Sequence, residues 1–428
     1  MNSAKMGAMA PEHINDLAGF VTASPSSFHA AAEVARRLDA AGFTQQSEDA
    51  RLVLEPGGGY VVRDGAIVAW HVPSGADAAH SGFRIVGAHT DSPSLKLKPS
   101  PTASAFGWQQ VAVEVYGGPL LNQWLDRDLG VAGRIVTRAG EQVLVRTPAW
   151  LRVPQVAPHL DRSVNEALKL DKQGNLKPIV SVGNPELDLL VLIAEEADLD
   201  AADVAGHDLY CYATEAPAVF GPMGEFFASS RLDNLSSVHA GLVALLEAEG
   251  GDDITVLACF DHEEVGSSSR SGAAGPLLEE VLRRIAGALE VDADGWHRML
   301  ARSSCISADA GHAVHPNYAH LHDPDHRPLL NAGPLLKHNA NLRYTSDATS
   351  SALWRRACEA AGVPTQDFVS NNAVPCGSTI GPMTAERLGV VTVDVGIPLL
   401  SMHSTRELAG VEDPAWLAGA LTAYYQGA

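Results

Sequence analysis

The sequence predicts a mixed α/β protein in which a β-rich segment interrupts the main fold. In the C-terminal part of the chain, helical patterns alternate with apolar strands, as in a sheet with helices on both faces. Between residues 93 and 228, short β-like runs separated by glycine and proline replace this alternation. Because residues 1–92 lack a complete α/β sheet, we expect 1–92 and 229–428 to form one domain and 93–228 to be an insertion.

The first 92 residues are predicted to contain two helices and four strands. Apolar residues recur at helical spacing from Ile14 to Val21, and a Ser-Pro-Ser-Ser sequence ends this helix. A second helix runs to about Ala41, where Gly42 follows as a stop signal. Strands are expected around Leu52–Leu54, Tyr60–Val62, Ala66–His71 and Phe83–His89.

The remaining elements follow from the same periodicities. The insertion is predicted to contain strands at Val111–Tyr116, Gly133–Thr137 and Gln142–Arg146. Helices are predicted at Leu235–Ala248, Pro276–Leu289 and Ala348–Ala361. Apolar strands are predicted at Ile254–Phe260, Cys305–Ala308 and Val390–Val395.

Composition excludes several classes of protein. Of the 428 residues, 46% are apolar and 19% are charged, which is typical of a folded chain. The 30 basic and 51 acidic residues give a net charge of −21, which argues against binding to nucleic acid or membrane surfaces. No apolar run reaches the ~18 residues of a membrane span. Five scattered cysteines without CxxC spacing and the lack of a signal-peptide pattern lead us to expect a cytoplasmic protein.

Five polar clusters lie in loops or directly after predicted strands. In open α/β sheets, ligands bind beyond the carboxyl ends of the strands, so these clusters are the candidate site. They are His89–Pro93, Ser230–Asn234, Asp261–Gly266, Ser307–His312 and Met402–Ser404.

The residue types in these clusters suit a pair of divalent cations. Two histidines and three carboxylates can hold two ions if one carboxylate bridges them, and zinc accepts both kinds of ligand. Two metals about 3.5–4 Å apart can share a water molecule, lower its pKa and polarise a carbonyl group. A further carboxylate must then accept a proton. Adjacent Glu263 and Glu264 fit this division of roles if they lie in a loop, because neighbours in a strand point to opposite faces.

Each cluster also has an ordinary structural explanation. Asp233 and Asn234 before a helix are typical of an N-cap, and paired glutamates are commonly solvated. A single histidine is more often packed or solvated than bound to a metal. Candidate ligands scattered from His89 to His403 are therefore a weak signal when spacing alone is considered.

A second histidine cluster offers an alternative metal site. His320, His322 and His326 lie close together in the sequence with two aspartates between them. Pro324 and Pro328 favour a loop here instead.

Motifs along nearly the whole chain resemble those of a known family. The main ones are His89–Pro93, Ser230–Asn234, Asp261–Ser267 and Met402–Glu407, and further matches occur at Trp124–Leu129, Ala132–Arg134, Pro158–Arg162, Ser307–Asp309, His312–Tyr318, His326–Pro328 and Gly377–Pro382. In this order they resemble the M18 metallopeptidases, the aspartyl aminopeptidase family. The resemblance implies a mixed-sheet α/β/α zinc-peptidase catalytic domain with an inserted β-rich oligomerisation domain that mediates dimerisation.

The resemblance also implies a metal centre. His89 and Asp309 would bind one metal ion, Glu264 and His403 would bind the other, and Asp233 would bridge the two. The cofactor would be two divalent metal ions per subunit, zinc in the first place, with manganese or cobalt as alternatives.

Two further residues would complete the catalytic machinery that the resemblance implies. Glu263 would contact the substrate and act as general base, and later as the acid that protonates the leaving amine. Asp91 would accept the second ring N–H of His89 and so fix its tautomer.

The family removes N-terminal Asp and Glu from peptides, so the resemblance implies peptides with acidic N-termini as substrates. Lys337 falls at the family's substrate-lysine position, and a buried carboxylate needs such a partner. His312 and Tyr344 match further substrate-contacting positions. Taken alone, Lys337 has the ordinary explanation of a surface lysine.

His159, inside the insertion, would contact the substrate in the active site of a neighbouring subunit. There it would stabilise the charge that develops on the reacting carbonyl. The family assembles as tetrahedral dodecamers, so a homo-oligomer is implied. An exposed loop histidine is the ordinary alternative for His159.

Two other functions compete with this interpretation. A neutral-residue aminopeptidase, or another dinuclear metal amidohydrolase on the same scaffold, would not need Lys337 or His159. A catalytically silent assembly or binding protein is a rival of a different class. The intact set of candidate ligands and base argues against it.

Overall fold

Within residues 3–77 and 79–428, which the computed structural model describes, twenty β-strands form three sheets and nine α-helices pack against them. The helices are α1 Ser3–Ala23, α2 Ser27–Ala40, α3 Leu189–Glu196, α4 Leu232–Glu247, α5 Leu277–Ala288, α6 Ala293–Arg302, α7 Ala348–Ala361, α8 Gly381–Leu388 and α9 Asp413–Tyr425. The predicted mixed α/β class is confirmed.

The strands are distributed along the whole chain. Those before the middle of the chain are β1 Thr44–Gln45, β2 Gly57–Arg63, β3 Ala66–Val72, β4 Phe83–His89, β5 Ser94–Ala105, β6 Trp108–Tyr116, β7 Leu129–Thr137, β8 Gln142–Arg146, β9 Ile179–Val182 and β10 Val204–Ala213. The others are β11 Ala218–Phe220, β12 Phe226–Ser229, β13 Ile254–Phe260, β14 Ser304–Ala308, β15 Gly311–His312, β16 Leu335–His338, β17 Gln366–Val369, β18 Val391–Gly396, β19 Pro398–Leu400 and β20 Glu407–Gly410.

The largest sheet has nine strands in the order β1-β2-β3-β13-β4-β14-β18-β16-β17. Its central strands β13, β4, β14 and β18 are parallel, whereas β3 and β16 run antiparallel to their neighbours β13 and β18. Along β13, Val256 and Leu257 point into different apolar clusters, as alternation in a strand requires. One cluster contains residues of α1, α2, α4, α7 and α9, and the other contains residues of α5, α6 and α8. Helices therefore cover both faces, as predicted.

A six-stranded sheet in the order β8-β7-β10-β5-β6-β9 is built entirely from strands between Ser94 and Ala213. All of its neighbouring strands are antiparallel. It has an apolar cluster of its own, to which α3 contributes Leu189 and Ile193. The proposed domain boundaries at residues 93 and 228 remain a prediction.

The third sheet, in the order β11-β12-β20-β19-β15, is not among the predicted elements. In it Ser229, the last residue of β12, pairs with Glu407, the first residue of β20. This pairing brings the Ser230–Asn234 cluster next to the Met402–Ser404 cluster, although about 170 residues separate them in the chain. The small sheet therefore helps to assemble the site.

The predicted strand at Leu52–Leu54 is wrong. This segment has no regular structure; Leu52 is buried and Val53 is largely exposed, but no neighbouring strand pairs with it. α9 is the longest helix that the prediction missed. Most of its residues are buried, so it lacks the polar face that marks an amphipathic helix. In the part of the chain that the structure describes, no helix is both long and apolar enough to cross a bilayer.

Candidate active site

The carboxyl ends of three adjacent parallel strands meet at one edge of the large sheet. β4 ends at His89, β13 ends at Phe260 in register with His89, and β14 ends at Ala308. The polar segments that follow these strands therefore converge, which is the location expected for a ligand site in an α/β sheet. Asp309 can lie close to β18 because residue 396 is a glycine. A Cβ at Gly396 would lie 1.6 Å from the carbonyl oxygen of Asp309.

Nine of the eleven predicted site residues line one cavity of about 310 Å³. They are His89, Asp233, Glu263, Glu264, Asp309, His312, Lys337, Tyr344 and His403. Asp91 lies buried beside the cavity, under the turn that carries the two glutamates. His159 is exposed in a turn between β8 and β9 and does not line the cavity.

Asp233 lies between two histidines. Its Oδ1 is 3.4 Å from Nε2 of His89, and its Oδ2 is 3.5 Å from Nε2 of His403. Asp233 has non-helical backbone angles at the start of α4. The N-cap explanation does not hold, because in the described part of the chain its carboxylate accepts no hydrogen bond from a backbone N–H of α4, and its buried Oδ1 has no hydrogen-bond partner. The two oxygens of one carboxylate thus face two different imidazoles.

Glu264 completes a compact set of potential ligand atoms. One atom each from His89, Asp233 and Glu264 lies within 4.8 Å of the others, and Glu264 Oε2 is 3.5 Å from His403 Nε2. The buried Oε1 of Glu264 has no hydrogen-bond partner, like Oδ1 of Asp233. Because buried polar atoms are almost always paired, these free oxygens fit a cation. The nitrogen and oxygen donors are those that zinc accepts.

The charges in the cavity also favour a cation. Burial and repulsion from Asp233 raise the pKa of Glu264 well above its usual value. Burial and repulsion from Asp233 also raise the pKa of Asp309 to about 6, although the charge of Lys337 acts in the opposite direction. The pKa of Asp233 is lowered despite its burial, because it contacts His403 and His89. A bound cation would relieve the repulsion between these carboxylates.

Glu263 and Glu264 lie in a short 3₁₀ turn after β13, so the sequence-based placement of this pair in a loop agrees with the structure. The buried carboxylate of Asp91 accepts hydrogen bonds from their backbone N–H groups at 3.0 and 3.1 Å, and from the Tyr116 hydroxyl at 2.7 Å. Asp91 therefore holds the turn as well as the imidazole of His89. Nδ1 of His89 is 3.0 Å from the Asp91 carbonyl oxygen and 3.3 Å from its carboxylate.

Lys337 is a buried cation at the cavity wall, with 1% of its surface exposed. Its Nζ donates to the carbonyl oxygen of Ala310 at 2.8 Å and lies 3.8 Å from Oδ1 of Asp309. The ring of Tyr344 is 5.3 Å from Nζ. The structure thus excludes the ordinary explanation of a solvated surface lysine.

Comparison with known proteins identifies the family. The profile described as "Aminopeptidase I zinc metalloprotease (M18)" matches residues 20–425. The chain belongs to the M18 family. It is 53% identical, over 97% of its length and 98% of the relative, to "Probable M18 family aminopeptidase 2" of Streptomyces coelicolor. It is therefore a metal-dependent aminopeptidase, a hydrolase of peptide bonds.

Solved M18 structures show the same fold. A chain in a cryo-EM structure of the Ape4 and Nbr1 complex has a TM-score of 0.95 and 34% identity, covering all of this chain and 87% of the other. A chain of the S. cerevisiae mApe1 dodecamer has a TM-score of 0.84 and 27% identity, covering 97% and 96% of the two chains. The predicted zinc-peptidase fold class is thereby confirmed.

Two residues of this M18 site were assigned no part in the chemistry from the sequence. Glu407, with 1% of its surface exposed, accepts hydrogen bonds from the backbone N–H of Asp233 at 3.0 Å and of His403 at 2.7 Å. The Asn234 side chain donates to Ala308 O at 2.8 Å and accepts from the Ala310 N–H at 3.3 Å. Both lie inside recognised motifs, which is the only signal that marks them in the sequence.

In the described part of the chain, the second histidine cluster does not bring three potential ligand atoms together. His322 Nε2 accepts a hydrogen bond from the backbone N–H of His315, and His326 pairs with Asp323 at 2.9 Å. Among the residues described, the group around Asp233 is the one in which three potential ligands converge. The loop interpretation is therefore the better one.

Proposed function

We propose that this M18 aminopeptidase removes N-terminal Asp and Glu from peptides at a site that holds two divalent metal ions. The observation that carries the proposal is the buried ammonium group of Lys337, which shares one cavity with the candidate metal ligands. A carboxylate side chain can enter such a cavity only if a cation offsets the loss of its hydration. Lys337 supplies that cation.

His89 and Asp309 would hold one ion and Glu264 and His403 the other, with Asp233 shared between them. The two oxygens of Asp233, each facing a different histidine, support the shared role. The ions would be zinc, with manganese and cobalt as alternatives, because ligand type alone does not select among them. When bound, they would supply Lewis acidity, which polarises a carbonyl group and lowers the pKa of water.

Glu263 is proposed as the group that moves the proton. Its side chain is 17% exposed, the most open of the carboxylates grouped around His89, and its Oε2 is 4.0 Å from His89 Nε2. From there it accepts the proton of the attacking water and donates it to the leaving amine. Asp91 fixes the turn on which Glu263 lies, so the base keeps its position during both steps.

Substrate side chains would lie against Lys337, with Tyr344 and His312 at the walls. His159 would reach this cavity from a neighbouring subunit and stabilise the charge on the reacting carbonyl. Its exposed position outside the cavity of its own chain is consistent with a role in another subunit. This role requires a homo-oligomer. The form proposed is a tetrahedral dodecamer, and the likeness to a chain of the S. cerevisiae mApe1 dodecamer supports an assembly of that size.

The proposed catalytic domain is 1–92 with 229–428, and 93–228 is proposed as the dimerisation domain. The separate apolar cluster of the six-stranded sheet supports this division. We place the enzyme in the cytoplasm.

Hydrolysis of a panel of N-terminal amino-acid amides by metal-quantified protein tests the proposal. We expect Asp and Glu amides to have the highest kcat/KM, two metal ions per chain, and loss of turnover after chelation. A preference for neutral residues would favour the alternative of a neutral aminopeptidase. One ion per chain at full activity would contradict the two-metal site.

A further inference from the structure

Asp394 is a completely buried carboxylate that the proposed chemistry does not use. It lies on β18, between β14 and β16, and 0% of its surface is exposed. Its Oδ1 accepts a hydrogen bond from the Thr379 hydroxyl at 2.6 Å. Its Oδ2 accepts from the backbone N–H and the hydroxyl of Thr345, at 2.6 and 2.7 Å. One side chain therefore holds two segments that lie 34 residues apart.

Both segments form walls of the cavity that contains the metal ligands. Tyr344, next to Thr345, lines this cavity, and so do Gly377–Thr379. Ser346 adds a second attachment, because its hydroxyl accepts a hydrogen bond from the backbone N–H of Asp394 at 3.0 Å. Two segments of the cavity wall are thus hydrogen-bonded to Asp394.

The side chain of Asp394 is tightly packed against the start of α8. A Cβ at Gly381, the first residue of α8, would lie 2.4 Å from Oδ1 of Asp394. The N–H of Gly381 donates to the Thr379 hydroxyl at 3.3 Å, so Thr379 connects the carboxylate to the helix. Little freedom remains for the 377–379 segment while these bonds are intact.

We propose that Asp394 is a positioning residue that sets the substrate-binding wall of the active site. By holding Thr345 and Thr379, it fixes Tyr344 and the 377–379 segment relative to the ammonium group of Lys337. This inference rests on the proposed function, because that wall is where the N-terminal side chain of a peptide would lie. Among the residues that the structure describes, Asp394 hydrogen-bonds to these two segments and to none of the proposed metal ligands.

The first test is Asp394→Asn. An amide NH₂ cannot accept a hydrogen bond, so at least one of the two segments loses its partner while the side-chain volume is kept. We expect KM for a cleaved amide to rise about tenfold with kcat within about threefold, because hydrogen bonds to charged groups are the stronger ones. Metal content should equal that of the wild type. Loss of metal, or an equal fall of kcat and kcat/KM, would overturn the positioning role.

A second readout does not depend on the substrate. Cys376 precedes the 377–379 segment and is partly exposed, whereas the other four cysteines are buried. The rate at which a maleimide labels Cys376 therefore reports on the order of this segment. We expect Asp394→Asn to increase that rate several-fold, since local opening becomes more frequent when a segment loses hydrogen bonds. Cys376→Ser supplies the background rate.

Thr379→Val keeps the test decisive if Asp394→Asn does not fold. This change removes one hydroxyl and preserves the side-chain shape. A matched control is Thr392→Val on β18, the strand that carries Asp394. Among the residues described, the buried Thr392 hydroxyl bonds only to the carbonyl oxygen of Val390. Thr379→Val should raise both KM and the labelling rate, and Thr392→Val should change neither.

The double variant of Asp394→Asn and Thr379→Val tests whether the two residues act on the cavity wall together or independently. If Asp394 acts through Thr379, the total effect of the double variant on KM should be smaller than the sum of the two single effects, expressed as free energies. Full additivity, or labelling rates that match Thr392→Val, would refute the inference. If the labelling rates rise but the enzyme prefers neutral substrates, the positioning role stands and only the proposed substrate class fails.

Discussion

The side chain of Glu407 accepts a hydrogen bond from the backbone N–H of Asp233 at 3.0 Å. The other oxygen of the same carboxylate accepts from the N–H of His403 at 2.7 Å. Two proposed metal ligands from distant parts of the chain are therefore held by one buried acid. Burial and repulsion from Asp233 raise the pKa of Glu407 to about 8. Glu407 therefore holds the backbone of two proposed ligands and is not itself one of them.

Replacing Glu407 with Gln should weaken metal binding. The amide can accept only one of the two backbone hydrogen bonds, so either Asp233 or His403 loses its support. Removal of groups that orient metal ligands typically costs 10–100-fold in affinity, and we expect a loss of about that size. Competition with a chromophoric chelator measures it. Glu386→Gln on the exposed face of α8 is the matched control, and equal affinity in the two variants would contradict the role.

Glu263→Gln should retain the metal content of the wild type but lose turnover. The variant keeps the shape of the side chain and cannot accept a proton, so kcat should fall by about 10²–10⁴-fold. Metal analysis and steady-state kinetics on the same preparation check both parts. Glu264→Gln is the comparison, because a change at a proposed ligand should lower the metal content. A kcat near that of the wild type would remove Glu263 as the base.

Lys337→Met should weaken acidic substrates selectively. Methionine keeps the buried apolar stem and removes the charge, so the ratio of kcat/KM for Asp amide to that for Leu amide should fall about 10–100-fold. The same ratio in Lys169→Met, a change at an exposed lysine, should equal that of the wild type. An unchanged ratio in the Lys337 variant would refute its assigned role.

Mixing two inactive variants tests whether His159 acts in another subunit. His159→Ala subunits keep Glu263, and Glu263→Gln subunits keep His159. Hybrid oligomers should therefore contain some complete sites and regain part of the wild-type activity. Native mass spectrometry verifies that the hybrids have formed. Verified hybrids that remain as inactive as their parents would show that His159 is not shared in this way.

Acid should destabilise the fold through His29. Burial, together with the charges of Arg146 and Arg231, lowers the pKa of His29 from 6.5 to about 4. Between pH 6.5 and 4 the unfolded chain binds a proton that the folded chain does not, so stability falls as the pH decreases through this window. Above pH 6.5 this contribution is fully present.

Urea unfolding of metal-free protein at pH 7.5 and pH 5 measures the effect. The difference between the two midpoints should be smaller in His29→Gln than in the wild type, because glutamine does not titrate. Metal-free protein is used so that release of metal in acid does not contribute. Equal differences in both proteins would contradict the assignment.

Local sequence patterns were enough to predict many of the secondary-structure elements. β4, β8, β13 and α7 have the predicted bounds, because apolar periodicity and terminating residues act within a few turns of the chain. α9 and the third sheet were not predicted. α9 is buried on most sides and has no polar face, and the strands of the third sheet are short and pair with distant partners.

The sequence by itself determined the family, the mixed α/β class and the identity of the candidate ligands and base, because these depend on residue types in ordered motifs. Only the tertiary structure decided that Asp233 faces two histidines and that Lys337 is buried. The same holds for the hydrogen bonds of Glu407 to Asp233 and His403, and of Asp394 to Thr345 and Thr379. Those relationships join residues up to about 170 positions apart in the chain. Local periodicity carries no information about such pairs, because strand order and sheet packing bring them together.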